Sequence, residues 1–298
     1  MKATAGAPVA GSGARSGFLA VAGACLLWGV FPFYFKLLGG AHPLEAMAHR
    51  VLWAVPALAV VLWARREWRP LHRALTRRGT LLGLVATSLL ITLNWTVYVV
   101  AVFAGNVLDA SLGYFMSPLL SVLFGVVVLK ERLRPLQTAA VVLAGLAVLN
   151  MVVSLGLVPV VALTLAFSFA GYGLVRKRLP VGPAVGLMAE CLITLPIVTG
   201  FLVYVGARQG LAFGTDLPLS LLLVLAGPIT VLPLILFNLG AKRLPLATVG
   251  LILYTIPSLL FLEGVFVFKE PAEPLKIATF AAIWVALGLY SWDGFRRK

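Results

Sequence analysis

Long apolar runs follow one another along almost the whole chain, separated by short polar, proline or glycine breaks. They fall near residues 18–38, 44–64, 79–103, 108–129, 136–154, 157–175, 184–205, 218–240, 246–268 and 275–292. A helix crosses bilayer hydrocarbon in about 20 residues, so the pattern describes an all-α membrane protein of about ten transmembrane helices. The stretch 136–179 is nearly continuous, about twice the length of one crossing, and Ser154, Gly156 and Pro159 divide it. Helices satisfy their own backbone hydrogen bonds inside each crossing, and these runs are far too long for barrel strands. Composition agrees, since 61% of residues are hydrophobic and only 11% charged, too few to cover a water-soluble domain.

The formal charge of +14 invites a nucleic-acid reading, which the placement of the basic residues excludes. They concentrate in every second connection. Arg65, Arg66, Arg69, Arg73, Arg77 and Arg78 follow the second helix; Lys130, Arg132 and Arg134 the fourth; Arg176, Lys177 and Arg178 the sixth; Lys242 and Arg243 the eighth; Arg296, Arg297 and Lys298 the tenth. The positive-inside rule then puts both termini in the cytoplasm and requires an even number of helices. Residues 1–17 read as a cytoplasmic tail before a retained first helix, because the apolar run that follows exceeds a signal-peptide core. Residues 293–298 form a second, basic tail. Cys25 and Cys191 lie within apolar runs, with no spacing that suits a disulfide framework or a metal site.

An internal repeat divides the chain. Residues 110–136 align without a gap on residues 249–275, with about eleven of about 27 positions identical. Pro118 matches Pro257, Gly125 matches Gly264, Lys130 and Glu131 match Lys269 and Glu270, and Pro135 matches Pro274. The offset spans five helices, an odd number, so the two units (18–154 and 157–292) enter the membrane in opposite orientations. Inversion explains why Lys269 breaks the charge bias that Lys130 obeys. Two similar halves around one midplane site suit alternating access, and no phosphate loop, HExxH zinc pair or GxSxG elbow indicates a cofactor, a metal or an enzyme.

Ionisable groups inside apolar helices are costly and mark function or pairing. Lys36, Glu45, His49, Arg50, Asp109, Glu190 and Glu263 are such groups. Glu45 and His49, at i and i+4, share a helix face. Glu45 and Asp109 suit either structural pairing near an interface or a substrate role. The deeper Arg50 needs a carboxylate, from the protein or from a substrate. Glu190 stands in the apolar stretch GLMAECLITLPIV with no cation nearby in sequence, which makes it a candidate for binding and releasing a proton. His49, seven residues before Pro56 as Glu190 is six before Pro196, is its proposed proton-coupling partner across the repeat. Asn94, Trp95 and Tyr98 form a polar aromatic face, and Ser111, Tyr114 and Ser117 recur at helical spacing; both sets suit a cavity or helix–helix hydrogen bonds. The expected substrate-binding set is Glu45, His49, Arg50, Asn94, Tyr98, Tyr114 and Ser117. The implied partners are a small-molecule substrate, the lipid bilayer and protons, within a secondary transporter; the alternative is a passive channel or facilitator.

The stretches LLWGVFPFYFKLL (26–38), EAMAHRVLW (45–53), NWTVYVVAV (94–102), NVLDASLGYFMSPLLSVLFGVVVLKERLRPLQ (106–137) and FAAIWVALGLYSWD (280–293) resemble the RarD group of EamA transporters, in the drug/metabolite transporter superfamily. That resemblance implies ten helices in two inverted halves and export or exchange of metabolites or drugs across the bacterial inner membrane. Members of the group are often labelled chloramphenicol-sensitivity proteins, a name that does not fix a substrate. Where such proteins commonly carry a basic residue, a glutamate and an asparagine, this chain has Asn106, Asp109 and Ser117. Asp109 keeps the charge, whereas Asn106 removes a basic group from the third connection.

Overall fold

The computed structural model describes residues 12–103, 107–154, 160–262 and 274–295, and every regular element among them is helical. The helices are α1 (Ser12–Gly29), α2 (Phe31–Leu37), α3 (Pro43–Arg65), α4 (Trp68–Thr76), α5 (Arg78–Phe103), α6 (Val107–Val127), α7 (Pro135–Ser154), α8 (Val160–Arg178), α9 (Pro183–Arg208), α10 (Leu217–Arg243), α11 (Leu246–Leu253), α12 (Thr255–Leu262) and α13 (Pro274–Phe295). Seven spans among the described residues are long and apolar enough to cross a membrane, and three shorter apolar helices accompany them.

Two of the expected runs are broken helices. The first divides into α1 and α2 at Val30, where Pro32 lacks the amide that would bond the Trp28 carbonyl. The ninth divides into α11 and α12 at Tyr254, where Pro257 does the same to Leu253. By contrast Pro56, Pro118, Pro196 and Pro233 lie inside continuous helices.

Lipid is the solvent of the outer surface. On α7, Val142, Leu146, Leu149 and Val153 follow one stripe and all are exposed, an arrangement that water would penalise. The opposite face, Ala140, Ala144 and Val148, packs on Ile283, Ala286 and Tyr290 of α13. Small residues let helices approach where no hydrophobic effect drives them together. At the α3–α10 crossing a Cβ on Gly227 would fall onto the backbone of Trp53 and Ala54. At the α6–α11 crossing a Cβ on Gly250 would stand 2.6 Å from the Pro118 carbonyl oxygen.

The main pairings are α1 with α10, α5 with α8, α3 with α9 and α10, α6 with α8 and α11, and α7 with α13. The basic connections meet at one end. Arg243 donates to Ser16 Oγ (2.8 Å), Lys177 faces Glu131 (3.8 Å), Arg178 donates to the Val128 carbonyl (2.9 Å) and Arg134 pairs with Asp293 (3.3 Å). Ser16 and Asp293, near opposite ends of the described sequence, thus lie at the same end of the bundle. The Glu131 carboxylate also accepts from the Leu246 and Ala247 amides, satisfying the start of α11 (2.8 and 3.0 Å).

Candidate functional site

A central cavity of about 90 Å³ lies where the two broken helices meet α3, α5, α6, α8 and α10. Its wall is aromatic: Trp28, Phe31, Phe35, Trp95, Tyr98, Tyr114 and Phe169 contribute rings, and Arg50 the cation. Asn94 and Ser117 add polar groups, while Leu165, Leu234, Leu253 and Ile256 close it with aliphatic surface.

Arg50 is buried on α3, about two turns below the helix start. Its Nε donates to Thr230 Oγ1 (2.9 Å), whose own hydroxyl donates to the Ala226 carbonyl (2.7 Å). The guanidinium lies 4.7 Å from the centre of the Trp95 ring, with Phe35 and Phe31 at 5.6 and 5.8 Å. Such rings attract a cation by their quadrupole and leave its charge uncancelled. Among the described residues no carboxylate forms an ion pair with Arg50. Tyr98 and Tyr114 meet edge to face, 5.6 Å apart, across α5 and α6. Asn94 Nδ2 donates to the Leu165 carbonyl and to Ser168 Oγ, both at 2.9 Å, tying α5 to α8. Ser117 donates to the Gly113 carbonyl of its own helix (2.9 Å).

Five of the residues expected at a binding site, Arg50, Asn94, Tyr98, Tyr114 and Ser117, therefore surround one space. In the register that pairs Ala110 with Val249, Tyr114 corresponds to Leu253 and Ser117 to Ile256, and all four line it.

Glu45 and His49 do not line the cavity. The Glu45 carboxylate accepts from the amides of Phe213 (2.9 Å) and Ala212 (3.1 Å), docking the α9–α10 connection on α3. Two backbone donors thus satisfy this carboxylate by charge-assisted hydrogen bonds. His49 stacks on Phe213 with centroids 4.8 Å apart and accepts from Trp53 Nε1 through Nδ1 (3.1 Å). Its Nε2 lies 3.9 Å from Glu45 and has no hydrogen-bond partner among the described residues.

Glu190 is also elsewhere, and although no cation is near it in sequence, one is near it in space. Arg176, at the end of α8, approaches it to 3.5 Å with both side chains almost fully buried. Thr87 donates to Glu190 Oε1 (2.6 Å) and Tyr172 to Oε2 (3.3 Å); Asn238 then joins Tyr172 (2.9 Å) to Arg176 (3.1 Å). Glu190 and His49 thus belong to separate networks with different partners. The sequence reading counted Arg176 among loop charges, whereas its long side chain runs back between α9 and α10. Gly186 makes room for it, because a Cβ there would fall on the guanidinium.

The side chains of Lys36, Asp109 and Ser111, and the whole of Asn106, Glu263, Gly264, Lys269 and Glu270, lie outside the described residues. The cavity residues that sequence reasoning missed are mostly aromatic: Trp28, Phe31, Phe35 and Phe169, with Thr230 as the acceptor for Arg50. The run WGVFPFYF, dense in rings around a proline, was the available signal.

Residues 15–153 match the EamA-like transporter family. An uncharacterized transporter of Bacillus subtilis strain 168, YojE, is 42% identical over 289 residues, covering 95% of this chain and 96% of its own. Protein RarD of Escherichia coli K12 is 37% identical over 280 residues, 94% of this chain and 95% of that one. A solved crystal structure shares the fold with a TM-score of 0.73 at 20% identity, over 96% of this chain and 99% of the other. With relatives this similar along nearly the full length of both partners, the chain is a multi-pass membrane transporter and belongs to the RarD group of the EamA-like transporter family.

Proposed function

We propose that this protein is a secondary active transporter of the bacterial inner membrane that exports small, partly apolar solutes carrying a carboxylate. Arg50 carries this reading: a buried cation facing a ring-lined cavity, with no acidic partner among the described residues. Burying an unpaired charge is expensive, so an anionic group on the solute would complete the site. The rings would take its apolar body. The cavity, at about 90 Å³, is well below the roughly 300–1,000 Å³ of sites for drug-sized ligands, so a compact solute fits this conformation and a larger one needs it to open.

Alternating access between ten crossings in two inverted halves is part of the proposal, with both termini in the cytoplasm. The pairings support it. Exchanging the halves turns α1–α10 into α8–α5, and leaves α3–α9, α6–α11 and α7–α13 unchanged, and all of these occur. The two broken helices, first in one half and fourth in the other, both border the cavity, and broken helices are where substrate sites in inverted repeats often form. For proton exchange the better-placed group is His49. Its Nδ1 is occupied by Trp53, so the neutral ring carries its proton on Nε2, and a second proton would cost the Trp53 bond.

The test is uptake into proteoliposomes, with and without a pH gradient, against amino acids, carboxylated metabolites, their amides and amphenicol-type compounds. Saturable, gradient-driven flux of the acids, absent for the amides and lost in Arg50→Gln, is the expected result. Unsaturable flux insensitive to the gradient would establish the channel instead.

A further inference from the structure

The six arginines between α3 and α5 are not spread evenly around the molecule. The chain leaves α3 through Arg66 in the left-handed conformation (φ 55°), and α4 then lies across the end of the bundle with Leu71 and Ala74 buried. Arg65, Arg66, Arg69, Arg73, Arg77 and Arg78 are all exposed, and none has an ion pair among the described residues. Trp63 and Trp68 stand exposed beside them, 75% and 44%, at the level where tryptophan marks the boundary between lipid and water.

A groove of about 420 Å³ opens between α4, the first turn of α5 and the α8–α9 turn. Arg73 and Arg77 form one wall; Pro180, Val181 and Gly182 form the other. Lys242 holds that second wall in place by donating to the Leu179 and Val181 carbonyls. Thr80 lies at the groove, only 5% exposed, and its hydroxyl has no hydrogen-bond partner among the described residues. Gly182, the residue before the 26-residue α9, borders the space and supplies no side-chain cap. Two guanidinium groups, an unused hydroxyl and a helix start converge on it, and each favours a negatively charged oxygen.

We propose that this groove binds the headgroup phosphate of an anionic phospholipid, with Arg73 and Arg77 as forks around the phosphate and Thr80 donating from below. A lipid is favoured over a free anion because the groove opens beside exposed interfacial tryptophans. Basic pockets at the ends of transmembrane helices hold anionic headgroups by this chemistry. The site is separate from the central cavity and does not depend on the solute proposed above.

The test uses the full chain in nanodiscs of mixed phosphatidylglycerol and phosphatidylcholine, with retained lipid read by native mass spectrometry. Wild type is expected to retain phosphatidylglycerol preferentially, and Arg73→Gln/Arg77→Gln to lose about tenfold of that preference. Arg65→Gln/Arg69→Gln, with the same change in charge outside the groove, is expected to keep it. Equal loss in both double variants would overturn the site in favour of diffuse surface charge. Displacement of the lipid by millimolar inorganic phosphate would overturn the lipid assignment in favour of a soluble anion. Thr80→Val preserves shape and removes the hydroxyl; it gives an independent reading if the double variant fails to fold, and unchanged retention there also defeats the proposal.

Discussion

Neutralising Glu190 leaves Arg176 buried without the carboxylate that faces it, its remaining partners being Asn238 and the Pro183 carbonyl. Breaking a buried pair from one side costs about 3–5 kcal/mol, so Glu190→Gln should lower the apparent melting temperature in detergent markedly. Replacing both residues with apolar side chains of similar volume should recover much of the loss, because neither charge then remains to be solvated. A Glu190→Gln protein that melts like wild type yet loses pH-dependent transport would support the proton role read from sequence. The proximity of Arg176 to Glu190 is not legible in the sequence for a physical reason: Arg176 stands at a helix end, where counting assigns it to water, while its guanidinium reaches the interior. Arg50, whose depth in the second helix was plain from the apolar residues around it, was read correctly as buried.

Helices of this chain are separated by glycine-sized gaps. Gly227→Leu should disrupt the α3–α10 crossing, since Trp53 and Ala54 offer backbone there and backbone cannot rotate away. Overpacking of this kind costs about 1–3 kcal/mol, readable as reduced melting temperature and reduced yield of monodisperse protein. Gly145→Leu makes the same change on α7, where nothing lies within 4 Å, and should be tolerated. At this scale the expected apolar runs are helical over most of the described residues, with breaks at Val30 and Tyr254, because hydrocarbon thickness constrains their length. The interfacial α4 went unread. Its nine residues, WRPLHRALT, carry only Leu71, Ala74 and Leu75 as apolar anchors, a signal hidden inside a run of arginines.

At the scale of the molecule, two carboxylates tie connections to helices at opposite ends of the bundle. At one, Glu131 joins the start of α11 and faces Lys177; at the other, Glu45 holds the α9–α10 connection. A carrier must release at least one of these in every cycle, whereas a channel need not. Cysteines introduced at Glu45 and Ala212 and bridged by a short bifunctional thiol reagent should therefore arrest transport, measured against the same unbridged variant. Cys25 and Cys191 are buried, which limits background reaction. Continued flux through the bridged protein would argue against alternating access. The repeat that suggested this mechanism was legible through Pro118 and Pro257, although only the structure brought their neighbours Tyr114, Ser117, Leu253 and Ile256 to one space.

Lys177 and Lys242 each direct their ammonium group to two backbone carbonyls at the end where the basic connections meet. Amines held this way are poor nucleophiles, so acylating reagents applied to map which loops face which compartment should modify them slowly. The unpaired guanidinium groups of α4 have no such restraint. Dicarbonyl reagents directed at arginine should label that end readily, and a topology map built on arginine rather than lysine would report it.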